Sequence, residues 1–363
     1  MVDRQLVEDI ANRIRPGGEG LIEKDWHVVR AIGVLAALDH GEARPAFSGG
    51  TSLSIGWGLI KRFSEDVDFK VGMPVAENPS RARAQRRAYR QKVLDALEGT
   101  GFELAGEPFA GKASGFFSAD FAYPSEFAPA PGLRSHLRIE MTFESPALPP
   151  IERPIRSLIA QAQGHAPEVR TFPCVNPVET AADKLSALAW RVCVRDRSSK
   201  RDDPTIIRHL HDLAALEARA SASSDFVTLL AQAAKRDIGR GGGRAPTEPA
   251  ERIAKMLERL GTDALWAEEY EEFVNNVSFA APDELTPFAT ALAALSRLAG
   301  GVPMEASVDC VRPAGTLPVS GGRSKAHSTA NGDRTRRRPP IWDNPAWPGP
   351  GEAPSPPVRD GRY

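Results

Sequence analysis

Two stretches of this 363-residue chain decide its fold: Phe47-Ser48-Gly49-Gly50-Thr51 and, fifteen residues after Thr51, Asp66-Val67-Asp68-Phe69. A glycine pair at the end of a short strand lets the backbone approach a phosphate with no Cβ in the way. Thr51 is placed to cap the helix that opens there or to bond a phosphate oxygen. In the second stretch, strand alternation sends Val67 and Phe69 into a core and both carboxylates to the open face. Two like charges that close repel unless a cation stands between them. A metal ion is the simplest remedy, and Arg62 or Lys70 would be a purely structural one. The pair of stretches therefore points to nucleotidyl or phosphoryl transfer.

Outward from these stretches the chain reads as a mixed α/β half followed by a helical half. Apolar residues at helical spacing run through Leu6–Ile14 and again from Ile22 to Leu38, and both helices pack behind a first strand, Pro45 to Ser48. A second strand covers Asp66 to Val71. Residues 80–99 form a basic helix with Arg81, Arg83, Arg86, Arg87, Arg90 and Lys92, which is either a solvated face or a phosphate-binding surface for a polynucleotide. In Leu133 to Phe143, Leu137, Ile139, Met141 and Phe143 face one way while Arg138, Glu140, Thr142 and Glu144 face the other. From Pro177 to Leu298 nearly everything reads as helix, so the halves divide between about 150 and 175. Arg240-Gly241-Gly242-Gly243-Arg244 follows no strand and precedes no Lys-Ser/Thr, and it reads as a connection between helices.

Phosphoryl transfer needs donors for phosphate oxygens, carboxylates for Mg²⁺, and positive charge for the leaving pyrophosphate. Gly49, Gly50 and Thr51 are the candidates for the first. Asp66 and Asp68 serve the second, with Glu140, on a later strand, as a candidate third metal ligand that would otherwise pair with an arginine at the surface. Positive charge comes from the helix that begins at Asn176-Pro177, where Lys184 and Arg191 lie two turns apart on one face. The next helix carries Arg208-His209-Leu210-His211-Asp212-Leu213, and Asp212 is placed either to orient Lys184 or to meet the nucleotide directly. Lys70 shares the face of the paired acids and is positioned to compete for them.

Composition bounds the rest. The formal net charge of −1 conceals a division: from residue 311 onward nine Lys/Arg face four Asp/Glu, about +5, which leaves about −6 for the body. An acidic body offers no global field for nucleic acid, so polynucleotide binding needs a local patch. Cys174, Cys193 and Cys310 make no zinc or disulfide spacing and read as thiols of a reducing cytosol. The longest apolar run, Ala31 to Leu38, is too short to span a bilayer, so a cytoplasmic protein is expected. After Gly300 the chain turns to Pro, Gly, Ser and Arg, a composition that buries no core, although Trp342, Trp347 and the Arg334–Arg338 cluster are candidate contacts.

The motifs Phe47-Ser-Gly-Gly-Thr-Ser-Leu53, Leu59-Ile-Lys-Arg-Phe-Ser-Glu-Asp-Val-Asp-Phe69, Asp183-Lys-Leu-Ser-Ala-Leu188 with Arg191, and Arg208-His-Leu-His-Asp-Leu213 together resemble the AbiEii/AbiGii nucleotidyltransferase-like toxin family. The resemblance takes in Glu23-Lys24-Asp25-Trp26 and Trp266 to Phe273, and so spans roughly residues 15 to 300 in order. It implies an α+β architecture: a DNA polymerase β-like nucleotidyltransferase domain (1–165), built on a small mixed sheet with flanking helices, an α-helical domain (166–300), and a disordered tail (301–363). It also implies the toxin of a toxin–antitoxin pair, in some members a phage defence. Such an enzyme uses a nucleoside triphosphate and Mg²⁺ to add nucleotides to an acceptor, in some members the 3′ end of tRNA, and so stops translation. A cognate antitoxin encoded by a neighbouring gene would be its partner. On this resemblance Asp66 and Asp68 hold metal, Gly49-Gly50-Thr51 is the phosphate turn, Lys184 the essential lysine and Asp212 the late acid. The competing readings are a nucleotidyltransferase acting on a small molecule or protein hydroxyl, and a module that binds nucleotide without turnover.

Overall fold

A computed structural model describes residues 2–301 apart from 112–113, 131–132 and 201. The expected tail, with Cys310, Trp342, Trp347 and its arginines, lies outside the described residues. The chain opens with α1 (Arg4–Ile14), whose Asp3 cap accepts a bond from the Leu6 amide, and α2 (Glu19–Ala37). Then come β1 (Arg44–Ser48), a single helical turn α3 (Gly49–Thr51) that widens into a π-type turn over Ser52–Gly56, and β2 (Asp66–Gly72). The basic helix α4 (Pro79–Glu98) starts at an Asn78 cap and a first-turn proline. Five strands follow: β3 (Glu103–Leu104), β4 (Phe109–Ala110), β5 (Phe116–Ala122), β6 (Leu137–Thr142) and β7 (Ile151–Ile155). After the short α5 (Leu158–Gln163), β8 (Val169–Cys174) completes the sheet.

The eight strands form one mixed sheet in the order β3-β5-β6-β2-β1-β8-β7, with β4 on β5. This is the expected α+β class with flanking helices, though the sheet is larger than small. Because β8 pairs in parallel with β1, the sheet runs through Cys174, and a division at residue 165 falls inside it. The β6 strand is shorter than the alternating run suggests, but its alternation holds: Leu137, Ile139 and Met141 are buried while Arg138, Glu140 and Thr142 line the other face.

One face of the sheet is closed by α2 and α4, whose Val28, Ile32, Leu35, Val93 and Leu97 pack with Phe47, Val67, Phe69, Phe121 and Ile139. The exposed arginines of α4, Arg81, Arg83 and Arg87, therefore point away from the sheet on the side opposite the paired acids. The other half is helical: α6 (Pro177–Val194), a 3₁₀ turn over Pro204–Ile207, α7 (Arg208–Ser221), α8 (Phe226–Arg236), α9 (Pro249–Thr262), α10 (Leu265–Val277) and α11 (Phe288–Gly300). Its core joins Leu185, Leu188 and Val192 of α6 to Leu210, Leu213 and Trp266, and it takes in Leu53 and Ile60 from the segment after the glycine turn. That shared packing seats α6 and α7 over the carboxylate face of the sheet. The glycine-rich segment between α8 and α9 is a turn in which Gly241, Gly242 and Gly243 all have positive φ. Among the described residues no helix is long and apolar enough to cross a membrane.

Candidate active site

Parallel pairing of β2 with β6 sets Asp66 beside Arg138 and Asp68 beside Glu140. Parallel pairing of β1 with β8, sealed by the bond from the Val175 amide to the Phe47 carbonyl (2.8 Å), brings the start of α6 against the glycine turn. The result is a cleft of about 260 Å³ lined by Ser48, Gly49, Gly50, Asp66, Asp68, Glu140 and Lys184, together with Arg191, Arg208 and His209. Six of the eight residues singled out in the sequence thus meet in one cavity. Thr51 and Asp212 do not line it.

The glycine turn is built for close approach. Gly49 has φ +74°, and a Cβ there would stand 1.9 Å from Asp68 Oδ2. A Cβ on Gly50 would stand 2.6 Å from Arg62 Nη2. These glycines are thus required by the side chains of β2 and Arg62, in addition to any phosphate. Thr51 is buried, and its hydroxyl donates to the Asp66 carbonyl, so it pins the turn to β2 instead of reaching the cleft.

Arginines that the sequence left without a role neutralise the acids. Asp66 accepts from Arg134 and lies 3.4 Å from Arg208. Burial pushes the Asp66 carboxyl up, but Arg208 and Arg134 hold it below its usual range. Asp68 has no such partner; burial and Asp66 push it up to about 6, and it shares a hydrogen bond with Glu140. Burial, Asp68 and Asp66 raise Glu140 well above the ordinary carboxylate range, and its Oε1 is buried with no partner. Lys70 does not compete for these acids. Its Nζ is held by Glu179 (2.7 Å), Asp183 (2.6 Å) and Glu144 (3.4 Å). Nor does Arg62 neutralise them, because it makes two 2.7 Å bonds to Asp212.

Asp212 is fully buried behind Lys184, whose Nζ sits 2.7 Å from its Oδ2. Burial raises Asp212, but Arg62 and Lys184 overcome this and hold it well below the ordinary range. Burial lowers Lys184, and Asp212 counters that. Asp212 is therefore an anchor for Lys184 and Arg62. Of the two roles open to it in the sequence, the geometry selects orientation of the lysine.

Behind Arg134 lies a buried support. Lys24 Nζ bonds Glu65 (2.6 Å) and the Arg134 carbonyl (2.7 Å), and Glu65 accepts from the Arg134 amide (2.9 Å). This bridge joins α2, the approach to β2 and the loop before β6, and it aims the guanidinium at Asp66.

The donor chemistry suits a hard divalent cation: three carboxylates on one sheet face, one of their oxygens orphaned, and two of them raised above their usual range by burial and by neighbouring carboxylates. Among the described residues no group of three His, Cys, Asp or Glu side chains stands ready-made around a metal position, because Asp66 is turned to Arg134 and Arg208.

Residues 34–294 match the family of nucleotidyltransferase AbiEii toxins of type IV toxin–antitoxin systems. The chain is also similar in structure to MenT4, a nucleotidyltransferase toxin from Mycobacterium tuberculosis H37Rv, at 19% identity and a TM-score of 0.50 over 85% of this chain and 91% of that one. At such identity the likeness speaks for the fold. No curated protein sequence matches the chain.

Proposed function

From the premise that this chain belongs to the AbiEii family of nucleotidyltransferase toxins of type IV toxin–antitoxin systems, we propose that it transfers a nucleoside monophosphate from a triphosphate to an acceptor hydroxyl in the cleft of Asp66, Asp68 and Lys184. The observation that carries this reading is the convergence of β1, β2, β6, α6 and α7, through those residues, on one cavity. Asp66 and Asp68, with Glu140, would hold Mg²⁺. That ion supplies charge neutralisation at the phosphates when bound.

The protein's own groups do the positioning. Gly49 keeps the turn open at Asp68, and Lys184, fixed by Asp212, directs its ammonium into the cleft toward the triphosphate. An acceptor oxygen attacks the α-phosphorus, a new O–P bond forms, the bond to the β-phosphate oxygen breaks, and pyrophosphate leaves. The hydroxyl proton passes to water, which leaves the carboxylates of Asp66 and Asp68 ionised to hold the cation.

The acceptor we propose is the 3′ end of tRNA, with translation blocked as the outcome, in the cytoplasm and under the control of a cognate antitoxin encoded nearby. A role in phage defence follows from the same reading. Incubation with each of four α-labelled triphosphates, Mg²⁺ and total tRNA, protein or small hydroxyl compounds tests it. Label in tRNA supports the proposal, label only in another acceptor redirects it, and nucleotide binding without pyrophosphate release would leave a non-catalytic module.

A further inference from the structure

Transfer at the α-phosphorus puts the attacking hydroxyl roughly in line with the departing pyrophosphate and on the opposite side. The phosphate-binding groups of the cleft, Gly49, Gly50 and Lys184, stand on its β1 and α6 side, so the acceptor arrives from the β6 side. The strand register shows what it crosses. Asp68 is beside Glu140 on β6, Glu140 is opposite Ser118 on β5, and Ser118 is opposite Phe109 on β4, so the four side chains form one row on the carboxylate face. At about 4.8 Å per strand, Phe109 lies roughly 14 Å from Asp68, at the edge of the sheet.

Phe109 is 45% exposed, and among the described residues every other Phe, Tyr or Trp is buried or half-buried. Its ring meets that of Phe116, on the same face of β5, at 6.2 Å and an interplanar angle of 53°. The face around this pair is open: Phe116, Ser118 and Asp120 are half-buried, whereas Phe117, Ala119 and Phe121 on the reverse face are buried. A ring held outward beside a second ring offers a π-face to a base. A small hydroxyl compound bound at Asp68 would not span the distance to Phe109, but a chain of unpaired nucleotides would. Its phosphates meet positive charge on the reverse face of the same edge, where Arg90 of α4 lies over the Phe117 ring at 5.5 Å and the exposed Arg87 and Arg83 continue its stripe.

We propose that Phe109, with Phe116, is a stacking platform for an unpaired base near the 3′ end of an RNA acceptor, upstream of the hydroxyl that attacks at Asp68. This rests on the nucleotidyltransferase reading above, with tRNA as the acceptor. It is tested by titrating the full chain, without triphosphate, with an RNA acceptor-stem hairpin that carries an unpaired 3′ tail and with the same hairpin trimmed to a blunt end. The proteins compared are wild type, Phe109→Ala, Phe109→Trp and, as a control at another exposed apolar side chain, Leu265→Ala. Loss of one stacked base predicts that Phe109→Ala binds the tailed hairpin about tenfold more weakly, with affinity for the blunt hairpin unchanged. Phe109→Trp keeps a π-face and binds the tailed hairpin at least as tightly as wild type. Leu265→Ala matches wild type on both hairpins.

Equal affinity of wild type and Phe109→Ala for the tailed hairpin overturns the inference, as does an equal loss on both hairpins, which would make Phe109 a support of the fold. A loss in Phe109→Trp as deep as in Phe109→Ala overturns it too, because binding would then depend on something other than a ring. If wild type binds neither hairpin, the tRNA reading of the acceptor fails and this inference fails with it. A tail preference in wild type that persists in Phe109→Ala removes the inference alone.

Discussion

Replacing Asp212 with alanine is predicted to weaken the fold and to disable the enzyme through Lys184, with no contact to substrate lost. Asp212 is fully buried and takes three bonds of 2.7 Å, two from Arg62 and one from Lys184. Those partners are themselves 3% and 9% exposed, so removing the acid strands two cations in the interior. Breaking one buried ion pair costs about 3–5 kcal/mol. Arg62 keeps its bond to the Phe63 carbonyl (2.9 Å) and its place over the Phe273 ring, so the two losses overlap and about 4–5 kcal/mol is the expected total. Against a stability of about 5–15 kcal/mol that is a large fraction. Asp212→Asn, which keeps one acceptor oxygen, should lose roughly half as much. Urea unfolding followed by circular dichroism measures this as a shift of the midpoint at constant slope. An Asp212→Ala protein with the wild-type midpoint and no transfer would refute the reasoning, because the acid would then have to act on substrate itself.

Other consequences follow from single contacts. Asp25 is buried beneath α5, accepts from the Leu158 amide at 2.6 Å, and is raised by burial from 3.8 to about 7. A carboxyl raised in the folded state contributes stability that is complete below pH 3.8 and lost as pH climbs through about 7, on the order of 4 kcal/mol at 1.4 kcal/mol per unit. Asp25→Asn keeps the acceptor, so it should flatten that decline and exceed wild type in urea at pH 8; an unchanged pH profile would count against a buried carboxyl there. Gly49→Ala puts a Cβ at positive φ and 1.9 Å from Asp68 Oδ2. The strain alone costs about 1–2 kcal/mol, and the displaced carboxylate should lower transfer on the order of 10²-fold. Wild-type kinetics in that variant would mean that the turn and Asp68 are not so close.

Much of the site was legible because two simple periodicities expose it. Alternation in Asp66-Val67-Asp68-Phe69 fixed the face of both acids, and the seven-residue spacing of Lys184 and Arg191 put them on one wall. Glu140 was legible for the same reason, since β6 alternates cleanly and pairs in register with β2. What escaped depended on tertiary pairing. Arg134 comes from a loop 68 residues from Asp66 with no local pattern, and its aim is set by the buried Lys24–Glu65 bridge. Arg208 and His209 were visible in a motif, but their position over the acids follows from how α7 docks on α6. The return of Val169–Cys174 to the sheet was hidden because its burial alternates poorly along an outer strand next to β7. Thr51 looked like a phosphate ligand and turned inward because the Asp66 carbonyl lies within its reach. Lys70 looked like a rival for the paired acids because its second set of partners, Glu179 and Asp183, sits on α6, 109 and 113 residues away.

The central claim is that Asp66, Asp68 and Lys184 form one transfer site, and the most direct measurement is α-label transfer to total tRNA by wild type and Asp68→Asn, with pyrophosphate release followed in parallel. The account predicts labelled tRNA and stoichiometric pyrophosphate from wild type, and a loss on the order of 10²-fold or more in both signals for Asp68→Asn. Equal transfer by the two proteins, with Asp68→Asn folded, would contradict it.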